Sequence, residues 1–315
     1  MIVFRCFFRV FTRPLWACAL CLSLAPALPG GPASAQTTAA RASVAPAANA
    51  VRVQIPADQV WLHGLSSIHT TDGRRFLALS NRGFLIEGQL RRDRAGRLAG
   101  WAPSGVHTLT FPDGRPLGNG FRAAEGLAVA RDGRLFISFE YHNRVWTWAR
   151  PGALPQDTGA HRDFSRLRHG RGFEALAISP DGSVYAIPER PARMTHGFPS
   201  YRWTNGTWHG SFRMPNDGNF LPVSADFGPD GQLYVLEFDT GSGQGAQSQI
   251  RRFPVQGDRM GRGAVVMRSA PGQFGRLSGL AVWRGPGGQL RATMLSNNGG
   301  MTGRPAELVE LVLPR

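Results

Sequence analysis

The chain has 315 residues and a formal net charge of +15 at pH 7, and all 36 basic residues are arginine. The arginines are scattered, with no run longer than two, which argues against a nucleic-acid-binding protein and favours an anionic small molecule as the ligand. The 40 glycines, the 23 prolines and the lack of long helical patterns predict an all-β protein with many tight turns.

The N-terminus has the pattern of a secretory signal peptide at residues 1–35. A basic start precedes an apolar segment at 15–28, which is short for a membrane span, and Ala33-Ser34-Ala35 fits the small-residue rule for cleavage. Cleavage would leave no transmembrane span. The sequence therefore predicts a bacterial protein that is periplasmic or secreted, with an uncleaved N-terminal anchor as the alternative.

All three cysteines lie inside this predicted signal, at Cys6, Cys18 and Cys21. The mature chain would therefore use neither disulfides nor thiolate chemistry. Residues 36–50 are rich in Ala, Thr and Ser and are predicted to be a disordered lead-in. The folded domain is predicted at residues 51–315, as a monomer.

A unit of strand, Asp-Gly turn and strand recurs along this domain. Asp-Gly between apolar runs is a strong hairpin signal, because Gly supplies the positive φ of a tight turn. The intervals between units are 48 to 61 residues, which predicts the four-stranded antiparallel blades of a β-propeller. The first strands of the units start near Leu65, Gly126, Glu174, Ser224 and Ser278. The turn residues are Asp72, Asp132, Asp181 and Asp230.

Five units predict five blades, or six if the long first interval contains a degenerate unit. The last unit lacks an outer strand, and the alternating segment at residues 51–55 could supply it. Such closure would join both ends of the domain in one sheet and protect its edge.

Acidic residues recur at the ends of the hairpin strands. The first strand of every blade lines the central channel, and antiparallel pairing brings the start of this strand beside the end of the second. Six carboxylates from three blades are therefore expected at one channel mouth. The first-strand acids are Glu125, Glu174 and Asp226, and the second-strand acids are Glu140, Glu189 and Glu237.

Oxygen ligands without cysteine suit a hard cation, so these six acids are the predicted metal ligands and Ca²⁺ the predicted ion. Arg82 and Arg144 follow second-strand ends and could grip an anionic group. The predicted catalytic set is Glu125, Glu174, Asp226, Arg82 and Arg144. In the alternative interpretation, the acids cap backbone N–H groups and the arginines are their salt-bridge partners.

Several short motifs in this order resemble the phytase-like family of exported bacterial β-propellers, from about residue 64 to 313. They are Leu79-Ser-Asn-Arg-Gly83, Glu125-Gly-Leu-Ala128, Phe136-Ile-Ser-Phe-Glu140, Asn143-Arg-Val-Trp146, Gly172-Phe-Glu-Ala-Leu176, Ala225-Asp-Phe-Gly-Pro-Asp-Gly231, Leu236-Glu237, Gly279-Leu-Ala-Val-Trp283 and Ser296-Asn-Asn298. The resemblance implies a propeller with esterase-like activity.

This chain is neutral at several positions where the family has acids. They are Asn81, Ala123, Gly275, Ser278, Asn297 and Asn298. Because calcium affinity follows the charge of the ligands, these changes should weaken a site for several calcium ions. Two hypotheses follow. The protein is a metal-assisted hydrolase of phosphate or other esters, or it is a non-catalytic propeller that binds an anionic ligand or a protein partner and has partly lost its metal site.

Overall fold

The computed structural model describes residues 44–167, 170–190, 197–241, 245–297 and 305–314. The predicted signal peptide at 1–35 and the first part of the lead-in lie outside the described residues. Within the described ranges, no helix has the length and apolar character needed to cross a membrane. The only helical segments in these ranges are short 3-10 turns at Ala47–Asn49, Val60–Leu62, Phe164–Arg166 and Pro286–Gly288.

The described residues form 23 β-strands. In chain order they are β1 (Ala45–Pro46), β2 (Val51–Ile55), β3 (Leu65–His69), β4 (Arg75–Ser80), β5 (Phe84–Arg92), β6 (Leu98–Thr108), β7 (Ala124–Val129), β8 (Leu135–Phe139), β9 (Arg144–Trp148), β10 (Gln156–Asp157), β11 (Phe173–Ile178), β12 (Val184–Pro188), β13 (Phe198–Thr204), β14 (Thr207–Met214), β15 (Leu221–Phe227), β16 (Leu233–Asp239), β17 (Gln247–Phe253), β18 (Val255–Gln256), β19 (Arg259–Met260), β20 (Ala264–Arg268), β21 (Arg276–Arg284), β22 (Leu290–Asn297) and β23 (Ala306–Val312).

These strands build a five-bladed β-propeller, as the sequence predicts, and the six-blade alternative is wrong. From the channel outward, blade 1 is β3-β4-β5-β6, blade 2 is β7-β8-β9-β10 and blade 3 is β11-β12-β13-β14. Blade 4 is β15-β16-β17-β20, and blade 5 is β21-β22-β23-β2. The hairpin β18-β19 is an insertion within blade 4.

The N-terminal strand closes the ring, as predicted. Strand β2 pairs antiparallel with β23 from Val51↔Glu310 to Ile55↔Ala306. The lead-in prediction is wrong for its described part, because Ala45–Pro46 pairs parallel with β20 and the side chain of Ala47 is buried in the core. A sequence that is poor in large apolar residues can still be ordered when a sheet edge offers it backbone hydrogen bonds.

The core lies between the blades. Among the described residues five hydrophobic clusters form, and each takes side chains from two neighbouring blades. Both faces of a blade are therefore covered, which explains why inner strands such as β8 (LFISF) are continuous apolar runs rather than alternating ones. The innermost strands contact one another around a closed ring.

The Asp-Gly turns form as predicted, and each returns the second strand of its hairpin towards the start of the first strand. In each turn the aspartate accepts a hydrogen bond from the backbone N–H two residues on, as in Asp132 with Arg134 at 3.0 Å and Asp181 with Ser183 at 3.0 Å. The following glycines have positive φ, +88° at Gly133 and +84° at Gly182.

Candidate metal and substrate site

Each innermost strand contains a β-bulge near its start. The register shifts between Leu65 and Ser67 in blade 1, and equivalent shifts occur in the other four blades. A bulge redirects the side chain of its extra residue, and bulges are common beside active sites. The residues inside the five bulges are Ser66, Glu125 with Gly126, Glu174, Val223 and Ser278.

A second set of equivalent positions follows the end of each second strand. The backbone N–H of Asn81, Glu140 and Glu189 donates to Gly64, Ala123 and Gly172 respectively, at 2.8 to 3.0 Å. The same pairing continues in the last two blades, as Leu221↔Phe238 and Arg276↔Asn297. This set of five therefore consists of Asn81, Glu140, Glu189, Phe238 and Asn297, and only blades 2 and 3 place acids in it.

Blades 2 and 3 bring three of the predicted acids together. Glu140, Glu174 and Glu189 each offer a carboxylate oxygen, and these oxygens all lie within 4.8 Å of one another. Glu174 and Glu189 are buried, and Glu140 is half-buried. Glu140 and Glu174 also share a hydrogen bond, which requires a proton on one of the two carboxyls. We call these three residues the acidic triad.

Glu125 lies beside this triad and is held by the first blade. Asn81 donates a hydrogen bond to its carboxyl group. Asn81 can lie there because Gly64 has no side chain: a Cβ at Gly64 would be 2.0 Å from Asn81 Oδ1. Gly126 has a similar role behind Glu125, because a Cβ there would lie 2.7 Å from that of Leu176 in blade 3.

Two arginines partly neutralise these acids. Arg276 crosses the channel mouth from blade 5, and its Nη2 lies 3.2 Å and 3.1 Å from the two oxygens of Glu174 and 4.0 Å from Oε1 of Glu189. Arg171 Nη1 donates to both oxygens of Glu189, at 3.1 and 3.0 Å. Four clustered carboxyls thus face two guanidinium groups.

Burial and mutual repulsion raise the pKa values of Glu125, Glu140 and Glu174. Burial, and then the charge of Glu140, raises the pKa of Glu125 to about 8, although Arg276 and Asn81 oppose the shift. Burial raises the pKa of Glu174 well above its ordinary value, with Arg276 opposing. Burial and Glu189 raise the pKa of Glu140. The site therefore binds protons readily when no other cation neutralises it.

A cleft of about 670 Å³ opens beside these acids, within the usual size range of small-molecule sites. Glu125, Glu140 and Arg276 are among the residues that line it. Its other lining residues are Asn81, Arg82, Asn119, Gly120, Arg122, Ala123, Tyr141 and Asn297. The cleft thus combines acids with basic and amide groups that can bind an anion.

Tyr141 separates this cleft from a second one. It lines both, is 44% exposed and adopts a left-handed backbone conformation with φ of +59°. A non-glycine residue in this region costs free energy and is retained where the surrounding structure fixes it.

The structure places two of the six predicted acids elsewhere. Asp226 lies near the far end of β15, where it pairs with Tyr234 and accepts a hydrogen bond from Val282 N at 2.7 Å. Val282 is six residues along β21 from Arg276, roughly 20 Å at about 3.3 Å per residue. The expectation that Asp226 joins Glu125 and Glu174 at one mouth is therefore wrong.

Glu237 is the second predicted acid that the structure places elsewhere. It pairs with Pro222, one residue before the position that Glu140 and Glu189 occupy in their blades. Because successive side chains of a strand point to opposite faces, this shift turns Glu237 away from the channel mouth. Its carboxylate instead accepts hydrogen bonds from Arg251 Nε at 2.6 Å and Gln249 Nε2 at 2.9 Å.

The two predicted arginines also separate. Arg82 lines the cleft beside the acids. Arg144 starts β9 and lines the neighbouring cleft, where it donates to the backbone oxygens of His142 and Phe121 and stacks over Phe139 at 3.9 Å. Burial lowers the pKa of Arg144 to about 10. This guanidinium is therefore held by its own blade and not beside the acidic triad.

Counting residues from the Asp-Gly turns would have corrected the predicted positions of Asp226 and Glu237. Glu125 and Glu174 lie seven residues before Asp132 and Asp181, whereas Asp226 lies only four before its turn. Three cleft residues, Arg276, Arg122 and Tyr141, were not among the predicted ones. Arg276 and Arg122 lie beside two of the positions that lost an acid, Gly275 and Ala123, and that adjacency was the available signal.

Solved propeller structures of low sequence identity resemble this chain. A gluconolactonase from Xanthomonas campestris is 16% identical, with a TM-score of 0.37, and the match covers 76% of this chain and 69% of that one. Aldose sugar dehydrogenase from Streptomyces coelicolor, in its PQQ-bound form, is 14% identical over 85% of this chain and 100% of that one, with a TM-score of 0.44. The calcium-binding protein regucalcin from Agrobacterium tumefaciens is 12% identical over 79% and 77%, with a TM-score of 0.44.

Among curated proteins, no match to the chain is found. A family model matches residues 60–300, which include blades 1 to 4, the two inner strands of blade 5 and every residue of the acidic triad. That family is described as phytase-like, with the esterase-like activity of phytase. Since the match covers most of the chain, the protein belongs to the phytase-like family.

Proposed function

We propose that the protein is an esterase-like hydrolase that acts on an anionic ester, of phosphate or of a carboxylic acid, at the cleft beside Glu125 and Glu140. The observation that carries this proposal is the acidic triad. Its carboxyls lie close together, the pKa values of Glu140 and Glu174 are raised and Glu140 lines a cleft, which is typical of sites that handle cations or protons.

The donor set of the triad fits one hard cation. Calcium binds oxygen at 2.3 to 2.6 Å, so two oxygens on one ion can be up to about 5 Å apart, and the triad oxygens lie within 4.8 Å. Glu140, Glu174 and Glu189 would hold the ion. Such a bound ion polarises an ester and lowers the pKa of a water molecule. The neutral residues at Asn81 and Asn297 argue for a single ion rather than several.

The chain's own residues would bind the substrate and supply a proton. Arg82 and Arg122, which also line the cleft, would bind the anionic group. Glu125 lies at the cleft wall, and burial, the largest cause of its raised pKa, favours the protonated form of its carboxyl group. It is therefore suited to protonate the leaving oxygen as a general acid, with Asn81 orienting its carboxyl group.

The test is turnover of p-nitrophenyl phosphate, p-nitrophenyl acetate and phytate, measured with added calcium and with EDTA. Glu174→Gln should abolish calcium-dependent turnover. The matched control is Asp132→Asn, which changes an exposed turn acid that pairs with Arg134. No turnover of any of the three substrates by the wild-type protein would reject the proposal.

One observation favours a second candidate, a non-catalytic propeller that binds an anionic ligand. A guanidinium group, that of Arg276, already lies against two of the three triad acids. Under this alternative, an anion such as phosphate should raise the melting temperature, by mass action on the folded state, without any turnover.

A further inference from the structure

We propose that Arg276 is a built-in counter-cation that competes with a divalent cation for Glu174 and Glu189, and so sets the calcium affinity of the triad. This inference rests on the proposed function only in taking the triad as the cation site, and it does not require turnover.

Arg276 is the one charged member of its set of equivalent positions. It starts β21 and pairs with Asn297, as Gly64, Ala123, Gly172 and Leu221 pair with the corresponding residues of the other blades. Its side chain reaches past blade 4 to Glu174 in blade 3.

The guanidinium and a bound cation would need the same space. Arg276 Nη2 is nearly equidistant from both oxygens of Glu174, at 3.2 and 3.1 Å. A calcium ion held by Glu174 and Glu189 would lie about 2.3 to 2.6 Å from their oxygens, and Nη2 already contacts both oxygens of Glu174 and lies 4.0 Å from Glu189. Two positive groups so close would repel each other strongly and overlap. Occupation by one therefore excludes the other.

The contacts of Arg276 allow it to leave. Its side chain is 37% exposed and lines the open cleft. Among the described residues, its Nε has no hydrogen-bond partner, and only Nη2 donates to the acids. The ring of Phe238 lies 5.6 Å from the guanidinium carbon. The side chain is thus held at one end and can turn into the cleft when a cation displaces it.

Arg276 therefore neutralises the triad when calcium is scarce, and calcium displaces it when calcium is abundant. Without Arg276, the triad would bind calcium tightly at low concentration. With it, binding requires the charge-assisted hydrogen bonds to Glu174 to be broken, which weakens calcium binding by about tenfold to a hundredfold.

The experiment compares Arg276→Met with Arg171→Met by calorimetric calcium titration and by the calcium-induced shift in melting temperature. Both variants remove one positive charge beside Glu189, but only Arg276 occupies the cation position. We expect calcium affinity to rise about tenfold or more in Arg276→Met. It should rise by about fivefold at most in Arg171→Met, because the side chain of Arg171 is largely exposed and its charge is screened by solvent.

Equal effects of the two variants would show that only net charge matters and would overturn the proposal, as would an unchanged affinity in Arg276→Met. Arg276→Gln, which keeps a polar side chain, provides the same comparison if the Met variant does not fold. Neither readout depends on ester hydrolysis. A rise in affinity without any turnover would therefore support this inference while rejecting the proposed function.

Discussion

Blades 3 and 4 place their buried acids at different positions. In blade 3, Glu174 and Glu189 occupy the bulge and the strand end, and they face the channel mouth. In blade 4 the same two positions hold Val223 and Phe238. Glu237 and Asp226 of blade 4 lie at other positions, where each is satisfied by hydrogen bonds within the blades.

The pair formed by Glu237 and Arg251 shows the structural use of an acid. Glu237 is fully buried and Arg251 is 7% exposed. Both Nε and Nη2 of Arg251 bond to the carboxylate, and Nη2 also donates to Pro215 O at 2.8 Å. One acid and one base satisfy each other completely. At the channel mouth, by contrast, acids outnumber bases, and this imbalance indicates a place for a ligand or for protons.

The largest effect expected from this contrast is on stability, in blade 4. Arg251→Met leaves Glu237 buried without its charge partner, which should lower the free energy of unfolding by about 3 to 5 kcal/mol. Urea denaturation measures this loss. The double variant Arg251→Met with Glu237→Leu should recover most of it, since no buried charge remains. A loss below about 1 kcal/mol in the single variant would contradict the one-to-one pairing.

A second effect concerns the pH dependence of stability, to which the acids at the channel mouth contribute. Because the pKa of Glu125 is raised to about 8 in the folded state from 4.5, folding favours its protonated form. Its contribution to stability is complete below pH 4.5 and is lost as the pH rises to about 8, at about 1.4 kcal/mol per unit at most. The charged groups that face Glu125 are Glu140, Glu189 and Arg276, and the charge of Arg276 opposes the rise of its pKa.

Glu125→Gln keeps the size of the side chain and cannot ionise. In EDTA, we expect the variant to be more stable than the wild type at pH 8 and to lose less stability between pH 5 and pH 8. Asp226→Asn is the control, because Asp226 is an acid away from the channel mouth whose pKa burial raises to about 7. If the slopes of Glu125→Gln and the wild type coincide, Glu125 is not the group that titrates.

The propeller could be predicted because its signals are local. Each Asp-Gly turn fixes a hairpin, and the spacing of the hairpins fixes the blades. The missing outer strand of blade 5 predicts the closure by residues 51–55. The site was only partly predictable, because facing the mouth depends on register, and a shift of one residue turns a side chain to the opposite face.

Glu237 and Arg276 show the two reasons for the errors. Glu237 fits the acidic motif by sequence and is one residue out of register with Glu189. Arg276 is separated from Glu174 by 102 residues, and no repeat within the sequence connects them. Contacts across a channel mouth depend on ring closure, which is a property of the whole fold.

The smallest expected effect is that of replacing Tyr141, and it distinguishes the role of its backbone conformation from the role of its side chain in the cleft. Tyr141→Gly relieves a left-handed backbone at φ of +59° but adds chain entropy to the unfolded state, so unfolding free energy should change by about 1 kcal/mol or less. The phenol ring that lines the cleft is lost, so the KM of the ester substrate should rise. Asn205→Gly is the matched control, since Asn205 has φ of +50° in an exposed hairpin turn of blade 3. A KM that rises equally in both variants would mean that Tyr141 acts through the backbone and does not contact the substrate.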